Sequence, residues 1–377
     1  MTSDAIAALA ARLRTEAGAA GFRRFVLMTG SAGWCREAGE ALVAGALAQS
    51  EVALWVGDSP PGGIPGCGPG ELTRHLGSEV DALVIDAHSG LDPDGLGAGL
   101  GLVRSGGLVC MLAPPLAERP AYPDPQAARL AVDGSTTDAM AGRFIRRLAD
   151  GLAADPWTVV CAEGGEPPSV APLPAPDPRQ PPDDTACRTA DQAEAVAAVL
   201  RTAIGHRRRP PVLTADRGRG HSAARGIAAG RLVAERGGRV VVTGPWQAAA
   251  DAVLAHAGDQ LGVRPRQGAV RAATGEVAFH LPEAIPTEPA PTLVVVDEAA
   301  ALPTGVLAAL LERYSRIVFA TTVHGYEGSG RGFSLRFMDT VAARAPRYRS
   351  VTLTEPIRWR RGDPVEALSF RTLLLDA

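Results

Sequence analysis

The stretch Pro211-Val-Leu-Thr-Ala-Asp-Arg-Gly-Arg-Gly-His-Ser222 constrains this chain more than any other. Val212 and Leu213 read as the end of a buried strand. A glycine-bearing loop follows, and the alanine-rich run 223–234 predicts a helix. Strand, Gly-rich loop and helix together form a P-loop, whose backbone N–H groups cradle phosphate oxygens at the positive end of the helix. Two positions depart from the pattern G-x-x-x-x-G-K-[ST]. Ala215 stands at the first glycine and His221 at the lysine. All 38 basic residues are arginine, so no lysine is available nearby as a substitute. A lysine brings a permanent charge on a long stem, whereas an imidazole is shorter and only partly charged near neutral pH. Arg219, in the same loop, is a second source of positive charge. The expectation is nucleotide binding that survives in weakened form, with hydrolysis strongly reduced.

A second element supports the first. Leu293-Val-Val-Val-Asp-Glu298 reads as a Walker B strand, with two acids at the carboxyl end where ligands bind in an open parallel sheet. In this pattern Asp297 holds Mg2+ through water, Ser222 ligates it directly, and Glu298 orients or activates the attacking water. One complete strand, 239–243, lies between the two motifs, as in helicase-type ATPases. A third element is the strand ending in Thr321-Thr322, placed where helicases sense the γ-phosphate. Arg358, after a further strand, is a candidate contact to phosphate charge.

Apolar runs of four to six residues alternate with helical segments along the chain, which predicts an α/β fold with mainly parallel sheets flanked by helices. Strands are expected at 24–29, 52–56, 82–86, 107–112 and 157–161, with helices at 4–20, 35–48, 71–76 and 138–152 and a Gly-rich segment at 91–103. Residues 163–188 are dense in Pro, Asp and Glu and read as a linker. The domains are therefore expected at 1–162 and 189–377, the second with a P-loop NTPase (RecA/helicase-like) fold. In that domain, helices are expected at 189–204, 223–234, 246–257, 304–314 and 335–343, with strands at 239–243, 291–298, 316–322 and 348–353. Residues 258–290 read as irregular.

No apolar run is long enough to span a membrane, and the start lacks a basic segment followed by an apolar one, so the expected location is the cytoplasm. Five scattered cysteines form no metal-ligand or redox spacing. Gly30-Ser-Ala-Gly33 reads as a plain strand-to-helix turn, and Asp86 ends a strand with no partner motif nearby. Residues 1–188 carry 14 arginines against 23 acids, and residues 189–377 carry 24 against 18. The mildly basic second half is compatible with a polyanionic partner. Arg207 to Arg209, Arg344, Arg347, Arg349, Arg360 and Arg361 are the arginines available to phosphates.

Several stretches carry a family resemblance. They are Thr214-Ala-Asp-Arg-Gly-Arg-Gly-His-Ser222, Val296-Asp-Glu-Ala-Ala-Ala-Leu-Pro303, Thr322-Val-His-Gly-Tyr-Glu-Gly-Ser-Gly-Arg-Gly-Phe333 and Glu355-Pro-Ile-Arg-Trp359. They resemble the helicase-like module of the bacterial tRNA(Met) cytidine acetyltransferase family, TmcA. The resemblance extends into the first domain through Gly33-Trp-Cys35 and Asp86-Ala-His-Ser-Gly90. It implies acetylation of N4 of the wobble cytidine in elongator tRNA(Met), with acetyl-CoA as donor and ATP hydrolysis coupled to the reaction. It implies that Gln192 contacts the adenine. It implies that Gly218, Arg219, Gly220, His221, Ser222, Ala223, Ala224, Arg225, Gly226 and Ile227 bind phosphate, that Arg358 contacts nucleotide, and that Asp297 and Glu298 are the Walker B acids. Family members continue into an acetyltransferase domain of the GNAT type. Here the letters of its acetyl-CoA signature occur only at Arg36-Glu-Ala-Gly-Glu-Ala41, inside an expected helix. The sequence as given is therefore not expected to transfer acetyl groups by itself.

Three readings follow. The first is an ATP-binding, RNA-helicase-like module of a tRNA acetyltransferase. The second is a non-hydrolysing P-loop module that binds RNA or a separate acetyltransferase domain or subunit. The third is a free-standing helicase, which a single P-loop core disfavours.

Overall fold

The computed structural model describes all residues except 76–77, 119–121, 127–141, 180, 217, 323–329 and 376–377. The chain forms two α/β units, Met1–Pro178 with Arg358–Ala377, and Arg179–Ile357.

The first unit contains α1 (Ser3–Ala20), β1 (Arg24–Thr29), α2 (Ala32–Ala46), β2 (Ala53–Val56), β3 (Gly66–Cys67), β4 (Val80–Asp86), α3 (Pro93–Leu100), β5 (Val103–Ala113), α4 (Arg143–Ala154) and β6 (Val159–Ala162). Its six strands pair in parallel in the order β3-β2-β4-β5-β1-β6. The long central strands are buried on both faces, which is why they read as continuous apolar runs rather than alternating ones. Helix α3 falls in the segment expected to be merely Gly-rich. Its three glycines disfavour a helix intrinsically, but all its residues from Gly95 to Leu100 are buried, so tertiary packing decides. The helix expected at 138–152 is observed from Arg143, and residues 138–141 lie outside the described part.

The C-terminal stretch differs from the expected boundary at 189–377, because residues from Arg358 onward pack with the first unit. One of the ties is a buried ion pair. Asp363 caps the helix Pro364–Leu373 through Glu366 N, and its carboxylate also accepts from Arg23 N at 2.7 Å and Arg23 Nη2 at 2.8 Å. The Arg23 guanidinium also lies 3.5 Å over the Trp359 ring. Val365 and Leu368 add apolar contacts by joining the first unit's core, and Arg371 pairs with Asp155 at 2.8 Å.

The second unit contains α5 (Ala190–Ile204), β7 (Pro211–Ala215), α6 (His221–Arg236), β8 (Gly238–Thr243), α7 (Gln247–Leu261), β9 (Ala269–Ala272), β10 (Gly275–Phe279), β11 (Leu293–Val296), α8 (Thr304–Arg313), β12 (Ile317–Thr322), α9 (Gly330–Arg344) and β13 (Arg349–Leu353). Among the described residues the strand order is β13-β7-β12-β11-β8-β10-β9, with β9 and β10 paired antiparallel and the other neighbours parallel. This hairpin lies in the stretch expected to be irregular. It attaches through β10 to β8, where Gly275 and Gly238 let the two backbones meet closely: a Cβ on Gly275 would sit 2.0 Å from the Gly238 carbonyl oxygen.

Helix α6 is buried nearly all round, from Ala223 to Gly230 and again at Leu232 and Val233. Its small residues permit this. A Cβ on Gly226 would sit 2.4 Å from the Val253 carbonyl oxygen of α7, so only glycine allows that crossing. On its outer side, Arg231 donates two hydrogen bonds to Asp184, at 2.6 and 2.7 Å. These bonds hold the Asp184 carboxyl down to about 2. Because the folded value is depressed, the pair's stabilisation is complete above the unfolded range near ~4 and is lost as pH falls toward ~2. Urea unfolding of the natural chain and of Asp184→Asn should therefore differ at neutral pH and converge as the solution approaches the bottom of that window.

Candidate nucleotide site

β7 runs into a loop turned by two glycines in the left-handed region, Gly218 at φ 79° and Gly220 at φ 78°. Gly220 is the N-cap of α6, and no side chain caps that end. The first N–H groups of a helix require acceptors from outside it, and the helix dipole favours an anionic one. The loop is braced from two sides. Ile357 N donates to Gly218 O at 2.8 Å, and Gln192 Nε2 donates to Gly220 O at 3.3 Å. Gln192 is itself held, since its Oε1 accepts from Arg188 N at 2.6 Å. One end of this buried amide thus braces the loop, and the other is tied to the backbone just before α5. The segment before Ile357 is pinned in turn: Asp191 accepts from Thr354 N at 2.7 Å and from Glu355 N at 3.1 Å.

The strand order brings the other motifs to the same edge. β12 lies between β7 and β11, so Thr322 sits between the loop strand and the strand that ends at Asp297. Asp297 is fixed by its own N–H, which donates to Thr243 O at 2.7 Å. Glu298 follows in the left-handed region at φ 43°, a conformation that costs a non-glycine residue and turns its side chain out of the strand direction. Its carboxylate accepts from Thr322 Oγ1 at 3.1 and 3.3 Å and lies 3.8 Å from His221 Nε2. Burial pushes the Glu298 carboxyl up. The His221 imidazole, the Arg225 guanidinium and the Thr322 hydroxyl outweigh that and hold it well below the usual carboxylate range. Glu298 is therefore a carboxylate at neutral pH, and a weak proton acceptor.

Arg225 was expected here only as one member of a phosphate-binding run. Its guanidinium donates to Asp297 Oδ1 at 2.6 Å, to Ser222 Oγ at 3.0 Å and to His221 O at 3.1 Å. It thus occupies the two oxygens assigned to Mg2+. As arranged, Ser222 and Asp297 Oδ1 do not fit a divalent cation. The sequence did hold a signal for this. Arg225 is the one charged residue in the buried run from Ala223 to Gly230, and a charge in such a place requires an acid partner.

The structure brings together Gln192, Gly218, Gly220, His221, Ser222, Arg225, Asp297, Glu298 and Thr322. Arg219 is buried beside the loop, with Nη2 3.8 Å from Asp216 Oδ2. Ala223, Ala224, Gly226 and Ile227 are buried within α6, where Ala224 and Ile227 belong to the core and Gly226 faces α7. Arg358 belongs to the first unit, where it donates to Gly101 O at 2.8 Å and pairs with Glu79 at 3.1 Å. Residues 323–329 of the Gly-rich stretch lie outside the described part. Among the surface arginines, Arg207, Arg208, Arg209, Arg344, Arg347 and Arg349 are exposed on the second unit, and Arg360 and Arg361 on the first.

Comparison with known proteins places the chain in a family. Residues 212–376 match the family described as RNA cytidine acetyltransferase NAT10/TcmA, helicase domain, and residues 1–162 match that described as tRNA(Met) cytidine acetyltransferase TmcA, N-terminal. The chain belongs to the TmcA family. A TmcA relative from Nitrosococcus halophilus is 42% identical over 100% of this chain and 51% of its own length. One from Haloarcula marismortui is 38% identical over 98% of this chain and 50% of its own. One from Vibrio cholerae is 36% identical over 80% and 39%. This TmcA-family chain thus spans about half the length of the curated relatives it matches. Its second unit has the P-loop NTPase type of fold that the helicase-domain match carries. Among the described residues, no helix is long and apolar enough to cross a membrane.

Proposed function

We propose that the second unit binds ATP as the helicase-like module of a cytoplasmic tRNA(Met) cytidine acetyltransferase, and that nucleotide binding rather than fast turnover is its contribution. The observation that carries this is the uncapped start of α6 at Gly220, braced by Gln192 and Ile357 and facing the Asp297, Glu298 and Thr322 edge. The backbone N–H groups of that turn take phosphate oxygens, and Arg219 adds positive charge. Catalytic power is low on two counts. His221 replaces the long-stemmed cation of the loop and is oriented toward Glu298. Glu298, held as a stable carboxylate, is poorly suited to accept a proton from water. Acetyl-CoA and the wobble cytidine belong to an acetyltransferase domain, attached or separate. The tRNA is the polyanion that the exposed arginines of the second unit meet.

Phosphate release measured for the natural protein and for His221→Lys, across about pH 6 to 8, tests this reading. ATP is expected to bind both, and the lysine variant is expected to turn over at least about tenfold faster. Equal rates would overturn the assignment of slow turnover to His221.

A further inference from the structure

The Arg225 side chain has no counterpart in the chemistry that the loop and strand motifs lead one to expect. It is fully buried, one helical turn beyond His221, on the face of α6 that looks toward the end of β11. Its neighbours Ala223, Ala224 and Gly226 are buried with it. The planar guanidinium then bridges Asp297 Oδ1 at 2.6 Å and Ser222 Oγ at 3.0 Å. These are the two oxygens that a P-loop and a Walker B strand reserve for a divalent metal. An arginine there is permanently charged and directional, and it cannot dissociate into solvent.

We infer that Arg225 is the resident cation of this site, so that nucleotide is held without a divalent metal at the Ser222–Asp297 pair. The inference rests on the nucleotide reading above. Charge counting supports it. Asp297 and Glu298 supply two negative charges, and Arg225 already neutralises one of them inside the protein. A metal taking the same pair would strand a buried guanidinium without its carboxylate, which is costly. Among the described residues, the remaining oxygen, Asp297 Oδ2, is buried with no hydrogen-bond partner, and His221, Asp297 and Glu298 offer ligand atoms within 4.8 Å of one another. A divalent cation at that trio would stand next to the guanidinium, with like charges close together in a poorly solvated pocket. The same oxygen is suited to a water or hydroxyl brought in with the nucleotide.

The test uses two probes on the full chain. ATP is titrated in Mg2+ and again in EDTA, and Mn2+ alone is titrated by electron paramagnetic resonance. The natural protein is expected to show ATP dissociation constants within about threefold of each other in the two buffers. It is also expected to bind no Mn2+ that depends on Asp297. Arg225→Leu is expected to gain Mn2+ binding and a melting temperature that rises with Mn2+. An affinity at least about tenfold weaker in EDTA, or Mn2+ binding to the natural protein that Asp297→Asn abolishes, would overturn the inference. If ATP binds in neither buffer, the nucleotide reading fails, while the Mn2+ titrations of the natural protein and Asp297→Asn still decide the role of Arg225. They do so whether or not Arg225→Leu folds.

Discussion

Asp297→Ala is expected to lower the stability of the chain by about 3–5 kcal/mol, the usual cost of removing one partner of a buried ion pair. Both side chains are out of solvent, Arg225 at 0% and Asp297 at 2% exposure, so water cannot take over the lost contact. Among the described residues, the variant leaves the guanidinium hydrogen-bonded to Ser222 Oγ and a helix carbonyl, with the Glu298 carboxylate acting on it only through space. It also removes the acceptor that Glu298 N uses at 2.8 Å. Urea denaturation of the whole chain measures the loss. Removing both charges in Asp297→Leu with Arg225→Leu should restore most of it, because the desolvation cost of the pair disappears with the pair. If Asp297→Ala costs under about 1 kcal/mol, the ion pair behaves like an exposed one and does not anchor the site.

Gly220→Ala is expected to damage binding more than stability. At φ 78° an alanine pays about 1–2 kcal/mol for the left-handed conformation. Its Cβ would lie 2.7 Å from Ile357 Cδ1 and 2.8 Å from Gln192 Nε2. Both atoms end flexible side chains, so they yield. In yielding, Gln192 gives up its bond to Gly220 O, and the loop loses one of its two braces. ATP affinity should fall by at least about tenfold while the melting temperature falls by only a few degrees. A variant that binds ATP as the natural protein does would show that the loop does not hold the nucleotide.

The sequence disclosed the parts of the fold that repeat a strong local pattern. The runs at 24–29, 239–243 and 293–296 are apolar because their strands are buried on both faces, and they were legible for that reason. The hairpin at 269–279 was not. Its short strands carry Arg271 and Glu276, and the hairpin joins the sheet at the close contact of Gly275 with Gly238 rather than through a long apolar run. The return of residues 358–377 to the first unit rests on contacts distant in sequence, among them Arg23 with Asp363, separated by 340 positions, Arg371 with Asp155, and Val365 and Leu368 in the core. No local pattern encodes such a contact.

The candidate site divides in the same way. Asp297 and Glu298 were legible because acids at the end of an apolar strand are conspicuous, and Ser222 because it follows a glycine loop. The work of Arg225 was hidden by its helical context: only its isolation among alanines and glycines marks it, and its partner lies 72 residues away. Gln192 was linked to the nucleotide through resemblance, and the structure adds a local task, the bracing of Gly220.

The most direct test of the central claim compares the equilibrium binding of ATP, ADP and adenosine to the unmodified chain. If the loop at Gly218 to Ser222 holds phosphates, affinity should fall in that order, with adenosine weakest by at least about tenfold. Adenosine binding as tightly as ATP, or no saturable binding of any of the three, would contradict the account.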